Sequence, residues 1–368
     1  MSEVIVAGGG PAGLAAAIAA RQAGLDVSLF DGARPPIDKA CGEGIMPDGL
    51  AALRRLGMTV PSSQVCAFRG IRFVDDSHSV GATFTHGVGY GIRRILLHQV
   101  MTQRALSLGV KLNWETRVTG ISAECIEADG KRVPFRWLVC ADGQNSPLRK
   151  KTGLFSSGSA RIRYGFRRHC RIAPWTDHVE VHWADCGQMY VTPIAADQVC
   201  VAFITADLRM RFDAALPRFT KLAERLAAAE IVGTTIGAVT ASRRLRRVQS
   251  GRIALIGEAA GSVDAITGEG LSIAFRQAFE LASAMRANRL DLYQTAHERI
   301  MRVPRNMSRL LLSLDQRQRL RHSVLRALER EHGAFDCMLA VHTGSGSVRE
   351  VGLGQALRFG WKLLHASV

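Results

Sequence analysis

Short apolar runs and helical periodicities alternate along the first part of the chain. Val4–Ala7 is an unbroken apolar run, and its length suits a strand buried on both faces. An Ala-rich stretch from about Ala12 to Ala23 predicts a helix, which Gly24 closes, and Asp26–Phe30 predicts a second strand. Together they form a β-α-β opening. Further helices are expected from Asp48 to Leu56 and from Ile95 to Leu108, with strands in the turn-rich stretch Gly70–Tyr90 and at Val110–Asn113, Arg117–Ile121 and Trp137–Cys140. From about Ala160 to Thr205 the period drops to two. Tyr164–Arg171, Val179–Trp183, Met189–Thr192 and Val199–Ile204 then predict one antiparallel sheet. A helix from Phe212 to Ala229, a buried strand Arg252–Ile256 and a long helix from Gly270 to Ala287 follow. The remainder reads as helical and basic, ending in the amphipathic Leu357–Leu364.

Length changes this picture first: 368 residues, 47% hydrophobic, suffice for two domains. No basic segment precedes the first strand, and the apolar runs are far shorter than the roughly 20 residues of a spanning helix. A soluble, cytoplasmic protein is expected. The eight cysteines form no C-x-x-C pair and no metal-ligand spacing, so free thiols are expected and no metal site. The net charge of +16 is concentrated between Arg286 and Arg330. No DNA- or RNA-binding motif accompanies it, so nucleic acid is not expected as a partner. An acidic carrier protein or an anionic membrane surface fits the charge, with Arg302, Arg305, Arg309, Arg317, Arg319 and Arg321 as candidate contacts; so does a solvated helix face with no partner.

The strongest chemical signal lies between the first strand and the first helix. Gly8-Gly9-Gly10-Pro11-Ala12-Gly13 has the G-x-G-x-x-G form. Gly8 permits the tight turn, Gly10 lets the backbone approach a pyrophosphate, and Gly13 allows close helix–strand packing. The helix N-terminus that opens at Pro11 and Ala12 offers unpaired N–H donors and the positive end of a dipole. Asp31, followed by Gly32 at the end of the second strand, is the candidate acceptor for ribose hydroxyls. Gly268 and Gly270 open the long helix that begins there, and amides at its start could stabilise negative charge on a reduced ring.

Two distant segments narrow the cofactor. One is Trp137-Leu-Val-Cys-Ala-Asp142-Gly143-Gln-Asn-Ser146-Pro-Leu-Arg149. The other is Gly251-Arg-Ile-Ala-Leu-Ile-Gly257-Glu258-Ala-Ala-Gly261, followed by Thr267-Gly268-Glu269-Gly270-Leu271. With these in order behind G-x-G-x-x-G, the sequence resembles the FAD-dependent aromatic hydroxylase superfamily, in its geranylgeranyl reductase-like branch, over most of residues 1–290. The resemblance implies bound FAD. It implies that Asp142 and Gly143 lie near the pyrophosphate, that Glu258 after Gly257 holds the ribityl chain, and that Val118 touches the adenine. Arg94 would reach the phosphates, with Arg93 as competitor, and Gly268, Gly270 and Leu271 would border the flavin. The family usually has Asp at 258, and this branch often has Pro where Ala265 stands. The loop Asp38-Lys39-Ala40-Cys41-Gly42-Glu43-Gly44 also resembles that branch, where it passes the isoalloxazine ring; Cys41 and Gly42 are flavin contacts on this reading, and Cys41 and Glu43 line the active site. For Glu43 a salt bridge is an equal alternative to catalysis.

The expected fold class is α/β: an FAD/NAD(P)-binding Rossmann-like domain from residues 1–65, 91–157 and 249–290, an inserted antiparallel β-sheet substrate domain from 66–90 and 158–248, and a helical C-terminal region from 291–368. Glu180 and His182 share one strand face, either solvated or lining a pocket. No second G-x-G-x-x-G is present, so the resemblance implies that NADPH or NADH visits transiently. The leading expectation is NAD(P)H-dependent monooxygenation of a small aromatic or polyketide-like molecule through the flavin C4a-hydroperoxide. The alternatives are reduction of isolated double bonds, as in geranylgeranyl reductases, and a flavoprotein that modifies a carrier- or protein-bound substrate. Halogenation is disfavoured, because the five tryptophans never fall two apart.

Overall fold

The computed structural model describes residues 2–154 and 161–346. The amphipathic segment expected at Leu357–Leu364 lies outside them.

Val4–Ala7 is fully buried at the centre of a six-stranded sheet. The sheet order is Gln249–Ser250, Ile253–Leu255, Trp137–Cys140, Val4–Ala7, Val27–Phe30 and Lys111–Asn113, and the five longer strands are mutually parallel. Parallel strands covered on both faces tolerate only apolar side chains, which explains the unbroken runs. The helix Pro11–Gln22 begins on a proline, which needs no N–H partner at that position. Its alanines let it lie close against the helix Gly270–Arg286, whose Phe275, Ala278 and Leu281 share the same core.

The second layer is a seven-stranded sheet ordered Glu230–Ser242, Arg161–Arg171, Gln198–Thr205, Gly187–Ala195, His178–Ala184, Gly70–Val74 and Ser79–Thr83. It is antiparallel except where Gly70–Val74 runs parallel to His178–Ala184. Period-two alternation gives it two different faces. One face carries Met189, Val191, Val201 and Phe203 into a core with Phe212, Phe219 and Leu222. The other carries Ile71, Val179, Val181, Tyr190 and Ala202 toward the first domain.

Two local expectations are corrected. The helix expected over 212–229 is broken into Phe212–Ala215 and Thr220–Leu226 by a turn at Leu216–Arg218, where Pro217 cannot donate to a continuous helix. The β-sheet segment expected over 158–248 contains a thirteen-residue strand, Glu230–Ser242, that the pattern does not single out. It is an edge strand with mostly exposed or half-buried positions, so it lacks the alternation that marks a covered strand.

Beyond the long helix, Leu290–Gln316, Gln318–Arg330 and His332–His342 fold back over the sheet. Leu311, Leu325, Leu328, Phe335 and Leu339 form a core with Phe73 and Trp183. A buried junction locks this arrangement: Arg163 reaches Asp264 (3.0 Å), Gln188 (2.6 Å) and Asp315 (3.4 Å). It therefore ties together the sheet, the 261–270 loop and the helix Leu290–Gln316. Arg321, expected at the surface, points inward instead, with its guanidinium 5.6 Å from the Trp183 ring. No helix of the described residues is long and apolar enough to cross a membrane.

Candidate functional site

A cavity of about 430 Å³ lies between the carboxyl ends of the parallel strands, the seven-stranded sheet and the C-terminal helices. Ligands of open α/β sheets settle at this end of the strands. Gly8, Gly10, Pro11 and Ala12 line one end. Gly8 adopts φ +119°, and a Cβ there would collide with the Ala141 carbonyl. A Cβ on Gly13 would strike the Gly8 carbonyl, so Gly13 serves packing and does not line the cavity. Gly10 has open space above it.

The turn is held from both sides. Asp31 accepts from the N–H of Gly9 (2.5 Å) and of Ala33 (2.7 Å) while still facing the cavity. His98, fully buried, lies with Nε2 2.9 Å from the Gly9 carbonyl. Burial lowers its pKa, so the ring is neutral and Nε2–H is the donor. Gly32 packs against Arg117, and Val118 is half-buried in a small separate sheet; neither lines the cavity.

Asp142 and Gly143 line the wall beside the turn. The Asp142 carboxylate accepts from the Ser146 hydroxyl (2.5 Å) and the Leu148 N–H (3.0 Å), capping the helix Pro147–Lys151. Burial raises its pKa, against the pull of those bonds. Arg149 crosses to the other motif and donates to the Ala259 carbonyl (3.1 Å) and the Gln144 carbonyl (2.8 Å). Gly257 adopts φ +61°, and its N–H donates to Gln277 Oε1 (2.8 Å). The Gln277 amide N–H in turn faces Nδ1 of His297 (3.2 Å), a ring that burial holds neutral by lowering its pKa to about 4.

Arg94 and Glu258 face each other across the cavity wall. Arg94 is 8% exposed, and its Nε has no hydrogen-bond partner among the described residues. Arg93 instead turns to Gln198 (3.4 Å) and does not line the cavity, whereas Arg94 does. Glu258 is accessible within the cavity, yet surrounding protein raises its carboxyl pKa while Lys39 and Arg94 draw it down. A buried guanidinium without an acceptor, beside a helix N-terminus with free amides, suits an anionic group.

The Cys41 loop forms the adjoining wall through Cys41, Gly42 and Glu43. Burial pushes the Cys41 thiol pKa up, so the sulfur is neutral. Glu43, 1% exposed with φ +58°, is spent on structure. Its carboxylate accepts from the Arg94 N–H (2.9 Å) and from Arg167 (2.9 Å) and meets His169 Nε2 (2.7 Å). Arg167 also reaches Asp38 (2.7 Å). The salt-bridge alternative for Glu43 is therefore the one observed. Glu43, His169 and Cys200 place three ligand-type atoms within 4.8 Å of one another, but the Arg167 guanidinium already occupies the position of a cation there.

Glu180 and His182 are paired (2.9 Å) and buried on the sheet face opposite the cavity, with Trp175 Nε1 also donating to Glu180 (2.9 Å). They are neither solvated nor part of this cavity; the residues expected behind them, Val179 and Val181, line it instead.

The far end of the cavity was not visible in sequence. Gly268, Gly270 and Leu271 border it as expected, but so do Met301, Met307, Leu311, Met338 and Leu339 from the C-terminal helices. Phe68 and Phe73 complete an apolar wall. Between the two ends sit Glu269 and His342, which sequence reasoning did not select. The only signal in the sequence was a charged residue between two glycines of a turn already assigned to the backbone.

The FAD binding domain family matches residues 1–302. The menaquinone reductase of Mycobacterium tuberculosis is 30% identical over 201 residues, covering 50% of this chain and only 49% of that protein, about half its length. The menaquinone reductase of Mycolicibacterium smegmatis is 28% identical over 325 residues, 80% of this chain and 79% of that protein. Among solved structures, a flavoprotein/dehydrogenase from Cytophaga hutchinsonii superposes with a TM-score of 0.79 at 17% identity, covering 93% of each chain. A geranylgeranyl bacteriochlorophyll reductase-like protein from Thermoplasma acidophilum superposes with a TM-score of 0.68 at 19% identity, covering 84% of this chain and 87% of that one. At these identities the structures share the fold.

Proposed function

The chain belongs to the FAD binding domain family of the aromatic hydroxylase superfamily, and from that premise we propose that this FAD-dependent oxidoreductase reduces a carbon–carbon double bond in a long apolar substrate. Residues 8–13 and Arg94 would hold the pyrophosphate, with Asp31 on the adenosine ribose and Glu258 on the ribityl chain. The orphaned Arg94 Nε and the open space over Gly10 support this fit. Cys41, Gly42, Gly268, Gly270 and Leu271 would border the ring. Gly13 and Gly32 support the turn and the strand end, and Val118, in the small separate sheet, does not line the cavity. When bound, the flavin supplies the hydride; NADPH or NADH is the proposed source of its electrons.

One observation carries the choice of reduction over the hydroxylation favoured by sequence. The cavity does not end at the flavin side but continues along Met301, Met307, Leu311, Met338 and Leu339. Such a wall recognises length and apolarity rather than a small polar ring. The likeness to menaquinone reductases points the same way. The protein's own residues then exclude water and align the chain: the sheet closes one side, and Tyr190, whose hydroxyl donates to the Ile266 carbonyl (3.0 Å), pins the loop that separates the two ends.

The test is anaerobic. The flavin-loaded protein, reduced under argon, should be reoxidised by a polyprenyl lipid that carries no quinone ring, and the product should gain two hydrogens across a carbon–carbon double bond of the chain. A product that instead gains an oxygen atom, and only under air, would return the assignment to monooxygenation.

A further inference from the structure

Resting on the reductase reading, we propose that Glu269 is the acid that protonates the substrate during reduction, and that His342 is its positioning residue. Gly268, at φ +67°, reverses the chain and sets Glu269 on the cavity wall with 1% exposure. Neither carboxyl oxygen has a hydrogen-bond partner among the described residues. The charged and titratable groups that face it come from three helices. Arg276, on its own helix, is 3.9 Å from Oε1; His342 Nδ1, from His332–His342, is 3.4 Å from Oε2; Asp48, from Pro47–Arg55, adds repulsion. A carboxylate so buried and so poorly paired is costly, and the neutral acid is the stable form. Burial, with Asp48 adding to it, pushes the Glu269 pKa up to about 8.

His342 completes the geometry. Burial lowers its pKa to about 4, so the ring is neutral, and Nε2–H donates to the Thr267 carbonyl (3.1 Å). Nδ1 therefore presents a lone pair toward Glu269. That nitrogen has no hydrogen-bond partner among the described residues and lies 3.4 Å from Oε2, the nearest basic atom to the acid. The acid also stands at the seam of the cavity: Gly268 and Gly270 flank it on the ring side, and His342 continues into Met338 and Leu339 on the apolar side.

Three other acids of the wall are engaged. The Tyr190 hydroxyl proton is given to Ile266, Asp264 is paired with Arg163, and Glu258 lies toward Lys39 and Arg94. In the reaction, one alkene carbon would take the hydride that bound reduced flavin supplies, leaving the flavin oxidised. The π pair forms the second C–H bond with the Glu269 proton, the O–H bond breaks, and the carboxylate is reprotonated from water.

The experiment uses the flavin-loaded enzyme and Glu269→Gln. The amide mimics the neutral acid, so FAD content and reducibility should match wild type. Reoxidation by a polyprenyl lipid without a quinone ring under argon should fall about 10²- to 10⁴-fold, with partial recovery in Glu269→Asp. The wild-type rate should decline as pH rises through about 8, and that limb should vanish in Glu269→Gln. Independently of turnover, infrared spectra at neutral pH should show a protonated-carboxyl carbonyl band that is missing in Glu269→Gln and titrates away near pH 8 in wild type. Wild-type rates in Glu269→Gln, or persistence of the band in that variant, would overturn the assignment while leaving the reductase reading intact. A wild-type enzyme that no alkene reoxidises would sink that reading and the acid role with it.

Discussion

Arg94 joins burial with an unused donor: the guanidinium is 8% exposed and its Nε meets no acceptor among the described residues. Replacing it should cost the fold little and cofactor binding much. Arg94→Met is expected to weaken FAD about 10- to 150-fold, the loss of one charge-assisted bond of about 1.5–3 kcal/mol, while the melting temperature of the cofactor-free protein stays within a few degrees; fluorescence titration of FAD and a thermal melt check both. At this scale the sequence was readable wherever chemistry depends on backbone. Gly8, Gly10 and Gly143 declare themselves because no other residue suits a close approach or a positive φ. Side chains that act through distant partners did not declare themselves. Glu43 and His169 are 126 positions apart and meet only through the fold, and His169 carried no motif. Asp142, expected near the pyrophosphate, lines the cavity beside the glycine turn but spends its carboxylate on a helix cap.

Among the elements, the first β-α-β unit follows from its pattern almost residue for residue, because a strand covered on both faces and an Ala-rich helix each have one way to be buried. The helix Pro11–Gln22 sits so low on the sheet that a Cβ at Gly13 would strike the Gly8 carbonyl. Gly13→Ala should therefore lift the helix or distort the turn, destabilising the protein by about 1–3 kcal/mol. A chemical melt would show the shift, and the purified variant should be paler at equal concentration because the turn no longer presents its amides. Elements without such a constraint were less legible. Glu230–Ser242 pairs through its backbone along one edge and leaves both side-chain faces partly open, so neither period of two nor of 3.6 marks it. The C-terminal helices were legible as helices, but an apolar stripe states only that something covers it, not that half the cover is a ligand cavity.

The whole molecule depends on histidines that stay neutral. His297 and His342 both have pKa values lowered to about 4 by burial, against about 6.5 in an unfolded chain. Between those values the unfolded state binds more protons than the folded one, so stability present above pH 6.5 is lost as pH falls toward 4. Each ring contributes up to about 3 kcal/mol of this loss. Thermal melts across that range should show a steep fall, and His297→Gln should flatten it by about half. His297 sits behind the Gly257 loop and His342 behind Glu269, so acid should also release flavin before the protein unfolds.

The match to the FAD binding domain family ends at residue 302, and the apolar wall draws Met307, Leu311, Met338 and Leu339 from beyond it. On the proposed reading, the flavin cradle and part of the wall that would measure the substrate come from successive stretches of one chain. Selection can lengthen, shorten or repaint the second without disturbing the first, and close cousins with identical flavin cradles should differ in diet chiefly through their tails.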